Sequence, residues 1–248
     1  MFILITLWIL LSPTQIKELN HFHDSFIVWN VGQGQWATLN TLTTCYHFDL
    51  GGERFPLAKI KARCRSKKNE IFISHWDLDH MSALRYLARW PRVCRREDPL
   101  GSSVSAFKTQ LLFHFKPCAY ALAQNLFIKK IFPYADEETW LPEISNAKSK
   151  VFIVGEWLIP GDSRIEEEVI WANRLQGRKI KGLIIGHHGS KTSSSELLIR
   201  NLPDLHWAIS SARWRRYKHP HPAVLINFKK QKKRILRTED WGNFYFET

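Results

Sequence analysis

The stretch Phe72-Ile73-Ser74-His75-Trp76-Asp77-Leu78-Asp79-His80 decides how the rest of this chain is read. The apolar run Ile71-Phe72-Ile73 has the character of a buried strand, and residues 81–87 have that of a starting helix. The polar cluster therefore lies on a turn from strand to helix. His75 and Asp77 are two positions apart and share one side of an extended backbone. Asp79 and His80 are adjacent, so a turn is needed to aim both inward. Imidazoles and carboxylates crowded this closely suit one or two divalent cations.

Working outward, the same theme recurs at later strand ends. Residues 151–154 and 157–159 read as a hairpin running into Pro160-Gly161-Asp162-Ser163. Residues 180–185 read as a buried strand ending in Gly186-His187-His188-Gly189-Ser190-Lys191. Ser193-Ser194-Ser195-Glu196 then reads as a capping box opening a helix, whose free N–H groups and Lys191 favour an anion. Upstream, three strands are expected around Gly32-Gln33-Gly34-Gln35, the third ending in Asp49-Leu50-Gly51-Gly52. The glycines mark a bend or a close backbone approach, and no dinucleotide fingerprint follows them.

Other segments are less specific. Residues 55–65 read as a basic helix, and the positive run at 63–68 as a solvated face able to touch phosphate. Residues 91–105 read as a charged loop, and His114 as a core or edge histidine. Residues 165–175 read as a helix. The segment Arg213-Trp214-Arg215-Arg216-Tyr217-Lys218-His219-Pro220-His221-Pro222 interleaves cations with aromatics, a mixture that can hold phosphates and stack bases. Its prolines are expected to keep it out of a helix. Residues 235–237 and 244–246 read as closing strands.

The chain has 248 residues, enough for a large core, and its 44% hydrophobic content is that of a folded soluble protein. A net charge of +13 favours polyanionic partners, either nucleic acid or an anionic membrane surface. Cys45, Cys64, Cys94 and Cys118 form no zinc knuckle or C-x-x-C motif, which leaves free thiols or up to two disulfides. Residues 2–11 are almost wholly apolar but too few to span a bilayer. They suit a weak export signal, a membrane-proximal anchor or a first strand. The expected organisation is an apolar segment and linker at 1–20 and one hydrolase domain at 21–248. The expected location is periplasmic or membrane-associated on the extracytoplasmic side, with the cytoplasm as alternative.

Taken together, Val31-Gly32-Gln33-Gly34, Phe48-Asp49-Leu50-Gly51-Gly52, Ser74 to His80, Gly161-Asp162, Gly186 to Ser190 and Tyr217-Lys218-His219-Pro220 resemble the metallo-β-lactamase superfamily. The likeness is to the hydrolase-like C-terminal domain of the ComEC DNA-uptake proteins, here without the membrane channel. It implies an α/β fold, a four-layer αβ/βα sandwich with a dinuclear site at one edge of its sheets. By analogy His75 and Asp77 hold one metal, Asp79 and His80 the second, Asp162 bridges them, and His187 is the late histidine ligand. Asp49 supports the site. Asp79, His188 and His219 are the expected catalytic groups, His188 and His219 as donors of a proton to the leaving oxygen. Ser190, Lys191, Arg213, Arg215 and Arg216 are the expected substrate contacts. Asn30, Gln35, Arg215 and Lys218 depart from the family's residues, and its middle histidine ligand has no match. The implied cofactors are two divalent ions, Zn²⁺ or Mn²⁺. The implied activity is phosphodiester hydrolysis of DNA, single-stranded DNA first, beside membrane-proximal uptake machinery. The alternatives are a metal-poor DNA-binding module and a hydrolase of a small ester or lactone.

Overall fold

A computed structural model describes residues 24–103, 105–119, 128–134, 141 and 145–248. The apolar segment at residues 2–11 lies outside these. Among the described residues no helix is long and apolar enough to cross a membrane.

The strands alternate their side chains between two apolar environments, and that alternation builds the layers. In β1 (Ser25–Val28), Phe26 and Val28 face one cluster while Ile27, with Trp29 just beyond the strand, faces another. β7 (Val151–Val154) divides likewise, with Phe152 and Val154 on one side and Val151 and Ile153 on the other. The shared cluster lies between two sheets. Phe26 stacks on Trp157 at 4.5 Å, and Phe48 and Phe72 meet Phe152 at 5.7 and 5.8 Å.

The first sheet adds β2 (Ala37–Asn40), β3 (Thr44–Phe48), β4 (Lys68–Phe72), β5 (Val93–Glu97) and β12 (Phe244–Glu247), in the order β12-β1-β2-β3-β4-β5. The second adds β6 (Ile128–Phe132), β8 (Trp157–Ile159), β9 (Gly182–Ile184), β10 (Trp207–Ser210) and β11 (Ile235–Arg237), in the order β11-β10-β9-β8-β7-β6. Both sheets are mixed: β3, β4 and β5 run parallel, as do β8 to β11, and the remaining neighbours are antiparallel. Outside the first sheet lie α1 (Leu57–Cys64), α2 (Leu78–Met81), α3 (Leu84–Leu87) and α4 (Ala106–Phe113). They contribute Ile60, Met81, Leu84, Leu87 and Leu112 to its outer cluster. Outside the second lie α5 (Ile165–Trp171), α6 (Glu196–Arg200) and α8 (Pro222–Lys230), with Trp171, Leu198, Ile199, Val224 and Phe228 buried against it. Short helices α7 (Trp214–Tyr217) and α9 (Thr238–Trp241) complete the chain. The result is the expected sandwich of helices, sheet, sheet and helices.

Three local expectations are corrected. Residues 93–97, read as loop, form β5. Its charges hid it: Arg96 Nε meets the buried Glu70 carboxylate at 2.8 Å, an ion pair that an edge strand accommodates. The prolines near residue 220 do not exclude helix, because Pro222 stands at the first position of α8, where no N–H is needed. The helix behind the metal-like cluster is broken into α2 and α3 around Ser82 and Ala83. The cysteines form two disulfides, Cys45–Cys64 tying β3 to α1 and Cys94–Cys118 tying β5 to the segment after α4.

Candidate metal centre

The candidate residues leave the carboxyl ends of strands, where open α/β sheets offer crevices. Asp49 follows β3, His75 follows β4, Asp162 follows β8 and His187-His188 follows β9. Asp77 precedes α2 in extended conformation, and α2 carries Asp79 and His80. That helix is pulled inward by the chain before it. Leu50 N–H donates to the His80 carbonyl at 2.7 Å, and Gln35 N–H to that of Asp79 at 3.0 Å. A Cβ on Gly51 would sit 2.1–2.2 Å from Asp79 and His80 backbone atoms, so only glycine permits the approach. His187 and His188 both have left-handed backbone, φ 49° and 56°, uncommon outside glycine. The Ser210 hydroxyl, donating to the His188 carbonyl at 3.0 Å, helps fix that turn.

Four imidazoles converge on Asp162, and two further carboxylates flank them. His80 Nε2 lies 2.9 Å from its Oδ1, and His188 Nε2 lies 3.7 Å from that oxygen. His75 Nε2 and His187 Nε2 lie 3.7 and 3.5 Å from its Oδ2. Asp77 is 3.5 Å from His75, and Asp79 is 3.2 Å from His188. His80 and His188 present their Nε2 atoms to each other at 3.2 Å. Ligands around one tetrahedral ion at about 2.05 Å stand roughly 3.3 Å apart, which matches these separations. Within this cluster two groups meet the spacing needed to hold an ion: His75, His80 and Asp162, and Asp79, His80 and His188.

The hydrogen-bond pattern around Asp49 prepares the imidazoles for this. Asp49 accepts from Gln35 Nε2 at 2.7 Å, from Ser74 N–H at 2.8 Å and from the Ser74 hydroxyl at 2.9 Å. With that proton committed, the Ser74 oxygen accepts from His75 Nδ1 at 2.8 Å. His80 Nδ1 donates to Asp49 Oδ2 at 2.8 Å. Both histidines therefore have Nδ1 engaged and turn Nε2 toward Asp162, the arrangement of metal-ligating histidines held by a carboxylate, and a cation there would displace the Nε2 proton that His80 otherwise shares with Asp162. His75 Nε2 is buried with no hydrogen-bond partner, a cost that a cation would remove. The donor set thus fits divalent ions. Gln35 serves as a donor to Asp49.

Charge follows the same geometry. Burial opposes ionisation of Asp162, yet His80, His188 and His75 hold its carboxyl well below the usual range. Burial lowers the His80 imidazolium, and Asp162 and Asp49 more than reverse this, leaving it well above its ordinary value. Asp79 is likewise held low against burial, by His188 and His80. His219, reached by Gln33 Nε2 at 3.4 Å, is pushed down to about 4 by burial and by the neighbouring imidazoles of His188 and His187.

The expected substrate residues divide. Arg213 and Arg216 both meet the Glu53 carboxylate, at 3.1 and 2.8 Å, and the Tyr217 hydroxyl donates to it at 2.9 Å. Glu53, which no sequence pattern marks, offsets one of these two charges. Lys191 and Arg215 are exposed, while Ser190 is buried with its N–H on the His187 carbonyl. The helix N-terminus at α6 is also taken. The buried Glu168 carboxylate accepts from Ser194 N–H at 2.5 Å and Ser195 N–H at 2.7 Å, so no external anion is needed there. Ser195 caps α6 by accepting from Leu198 N–H. Asn146, whose Nδ2 is 3.2 Å from His187 Nε2, gave no sequence signal, because its 3₁₀ turn has no distinguishing pattern.

No protein-family model matches the chain. ComE operon protein 3 of Bacillus subtilis is 27% identical over 205 residues, which cover 79% of this chain and 26% of that protein. Competence protein ComA of Neisseria gonorrhoeae is 24% identical over 228 residues, 88% of this chain and 31% of that protein. Recombination protein 2 of Haemophilus influenzae is 39% identical over 98 residues, 38% of this chain and 12% of that protein. The chain thus spans under a third of each of these relatives. Among solved structures, the metallo-β-lactamase fold protein YhfI of Bacillus subtilis superposes with a TM-score of 0.57 at 13% identity, covering 91% of this chain and 100% of that one.

Proposed function

We propose that this chain, a ComEC-like domain of metallo-β-lactamase fold, hydrolyses phosphodiester bonds of single-stranded DNA with two divalent ions. His75, Asp77 and His187 would hold one ion and Asp79, His80 and His188 the other, with Asp162 between them. Divalent ions in such sites activate water as a nucleophile and neutralise phosphate charge. The carboxylate-rich set is hard enough for Mn²⁺ as well as Zn²⁺. The observation that carries this reading is the buried, unpartnered Nε2 of His75 aimed into the group around Asp162.

The protein's own groups divide the remaining work. Asp49 fixes the tautomers of His75 and His80. Lys191 and Arg215 are exposed cations able to hold the phosphate backbone. His219, neutral at neutral pH because its pKa lies near 4, suits accepting a proton or donating an N–H bond. The proton-donor role expected for it needs an imidazolium. His188, 3% exposed, sits among the ligand groups. The names of the competence relatives support a role in DNA uptake. The two disulfides support an extracytoplasmic, oxidising location.

Labelled single- and double-stranded DNA and RNA, incubated with the purified chain and Mn²⁺ or Zn²⁺, test the reading. Cleavage of single-stranded DNA that Asp162→Ala abolishes is expected. Equal, background-level cleavage by both proteins would sink it.

A further inference from the structure

Away from the metal-like cluster, α1 and the α3 segment enclose an open groove of about 770 Å³. Lys61, Arg65, Arg85 and Arg89 line it with Tyr86 and Trp90, and no acidic side chain does. The four cations are exposed. None of them pairs with a carboxylate among the described residues, whereas Arg213, Arg216, Lys230 and Arg237 all do. The groove thus gathers four cations with no carboxylate partner among the described residues, whereas in the 213–217 segment Arg213 and Arg216 share Glu53.

The groove also has an aromatic platform. Tyr86 is 37% exposed and rests on Phe55 at 5.4 Å, which holds its ring in place. The Arg85 guanidinium lies 4.8 Å from the centre of that ring. Cations flanking a fixed, exposed aromatic ring match a charged, flexible strand whose bases are free to stack. A duplex keeps its base faces covered and would gain only the phosphate contacts.

The groove connects to the candidate centre along one stretch of chain. Leu78, Asp79 and Ser82 line a second hollow with Gln33, Glu53 and Tyr217. Arg85 and Tyr86 on α3, and Arg89 just after it, follow Ser82 within seven residues of chain.

We propose that this groove is a second, non-catalytic binding site for single-stranded nucleic acid. Lys61, Arg65, Arg85 and Arg89 take phosphates, and Tyr86 takes a base face. The proposal rests on the phosphodiesterase reading only in choosing nucleic acid over other polyanions.

Binding of a labelled oligothymidylate to the full chain, measured by fluorescence anisotropy in chelator, tests it without hydrolysis. The R85A/R89A double variant is expected to bind more weakly, with a log–log salt slope shallower by about 1.4, two contacts at about 0.7 each. Tyr86→Ala is expected to lose about tenfold on oligothymidylate and nothing on an abasic strand of equal length. Wild-type affinity and slope in the double variant would overturn the site. Equal loss by Tyr86→Ala on both strands would overturn the stacking. Should Tyr86→Ala lower the melting temperature, Arg85→Gln and Arg89→Gln, both at exposed positions, still report the phosphate contacts. Absence of cleavage with metal would defeat the nuclease reading and leave this binding result standing.

Discussion

The Nε2 atoms of His80 and His188 face each other at 3.2 Å although 108 positions separate the residues. His80 has its other nitrogen engaged by Asp49, so once a cation displaces the Nε2 proton, that nitrogen brings a lone pair to the meeting. A cation between the rings satisfies both nitrogens at once. Zn²⁺ or Mn²⁺ is therefore expected to raise the melting temperature. At a hundred times Kd the stabilisation is about 2.7 kcal/mol, or roughly 5–10 °C for a chain of this size. His188→Ala is expected to reduce bound metal from two equivalents to one, read by elemental analysis. Unchanged stoichiometry would remove His188 from the ligand set.

Asp49→Asn tests the support behind the ligands. The amide cannot accept all the donors that Gln35, Ser74 and His80 direct at this side chain. Loss of such a supporting carboxylate typically costs 10–100-fold in metal affinity. Competition with a chelator of known affinity measures this, and a variant that holds metal as tightly as wild type contradicts the tautomer assignment.

Gly51→Ala addresses the close approach of α2. Its methyl would overlap backbone atoms of Asp79 and His80, whereas one on Gly155 meets nothing within 4 Å. Gly155 has φ 58°, so Gly155→Ala costs about 1 kcal/mol of backbone strain alone. Gly51→Ala is expected to cost about 3 kcal/mol or more and to weaken metal binding. Urea midpoints compare the two, and a smaller loss at position 51 would refute the packing account.

His47 supplies a pH dependence independent of any ion. It is fully buried, accepts at Nδ1 from Trp36 Nε1 at 3.2 Å and contacts Asn69 at 3.0 Å. Burial pushes its pKa down to about 4. The unfolded chain therefore binds the extra proton between about pH 6.5 and 4, and stability falls as pH drops through that window. The loss is on the order of 3 kcal/mol at the acid end. His47→Gln is expected to flatten that part of the curve in pH-dependent urea unfolding. An equally steep curve in the variant would assign the slope to other groups.

Much of the centre was legible because its residues cluster at the ends of apolar strands. His75, Asp77, Asp79 and His80 stand within six positions, and His187-His188 within two, so spacing alone marks them. Local patterning also revealed the flanking strands. The unread parts depend on distant partners. Nothing near Arg213 or Arg216 in the sequence announces Glu53, some 160 positions away. Glu168 fills a helix terminus 26 residues downstream, so a cap that looked open is closed. β5 was hidden because Arg96 and Glu70 neutralise each other across neighbouring strands, a pairing invisible to hydrophobic periodicity.

β1 takes its outer partner from residues 244–247, with Ser25 opposite Glu247 and Val28 opposite Phe244. During synthesis, then, the edge of β1 stays bare until more than two hundred further residues have left the ribosome. Phe246, which covers Trp157 at 4.5 Å, arrives equally late. Until then that rim is an unpaired strand edge, and premature release of the polypeptide would leave it open to pairing with another chain.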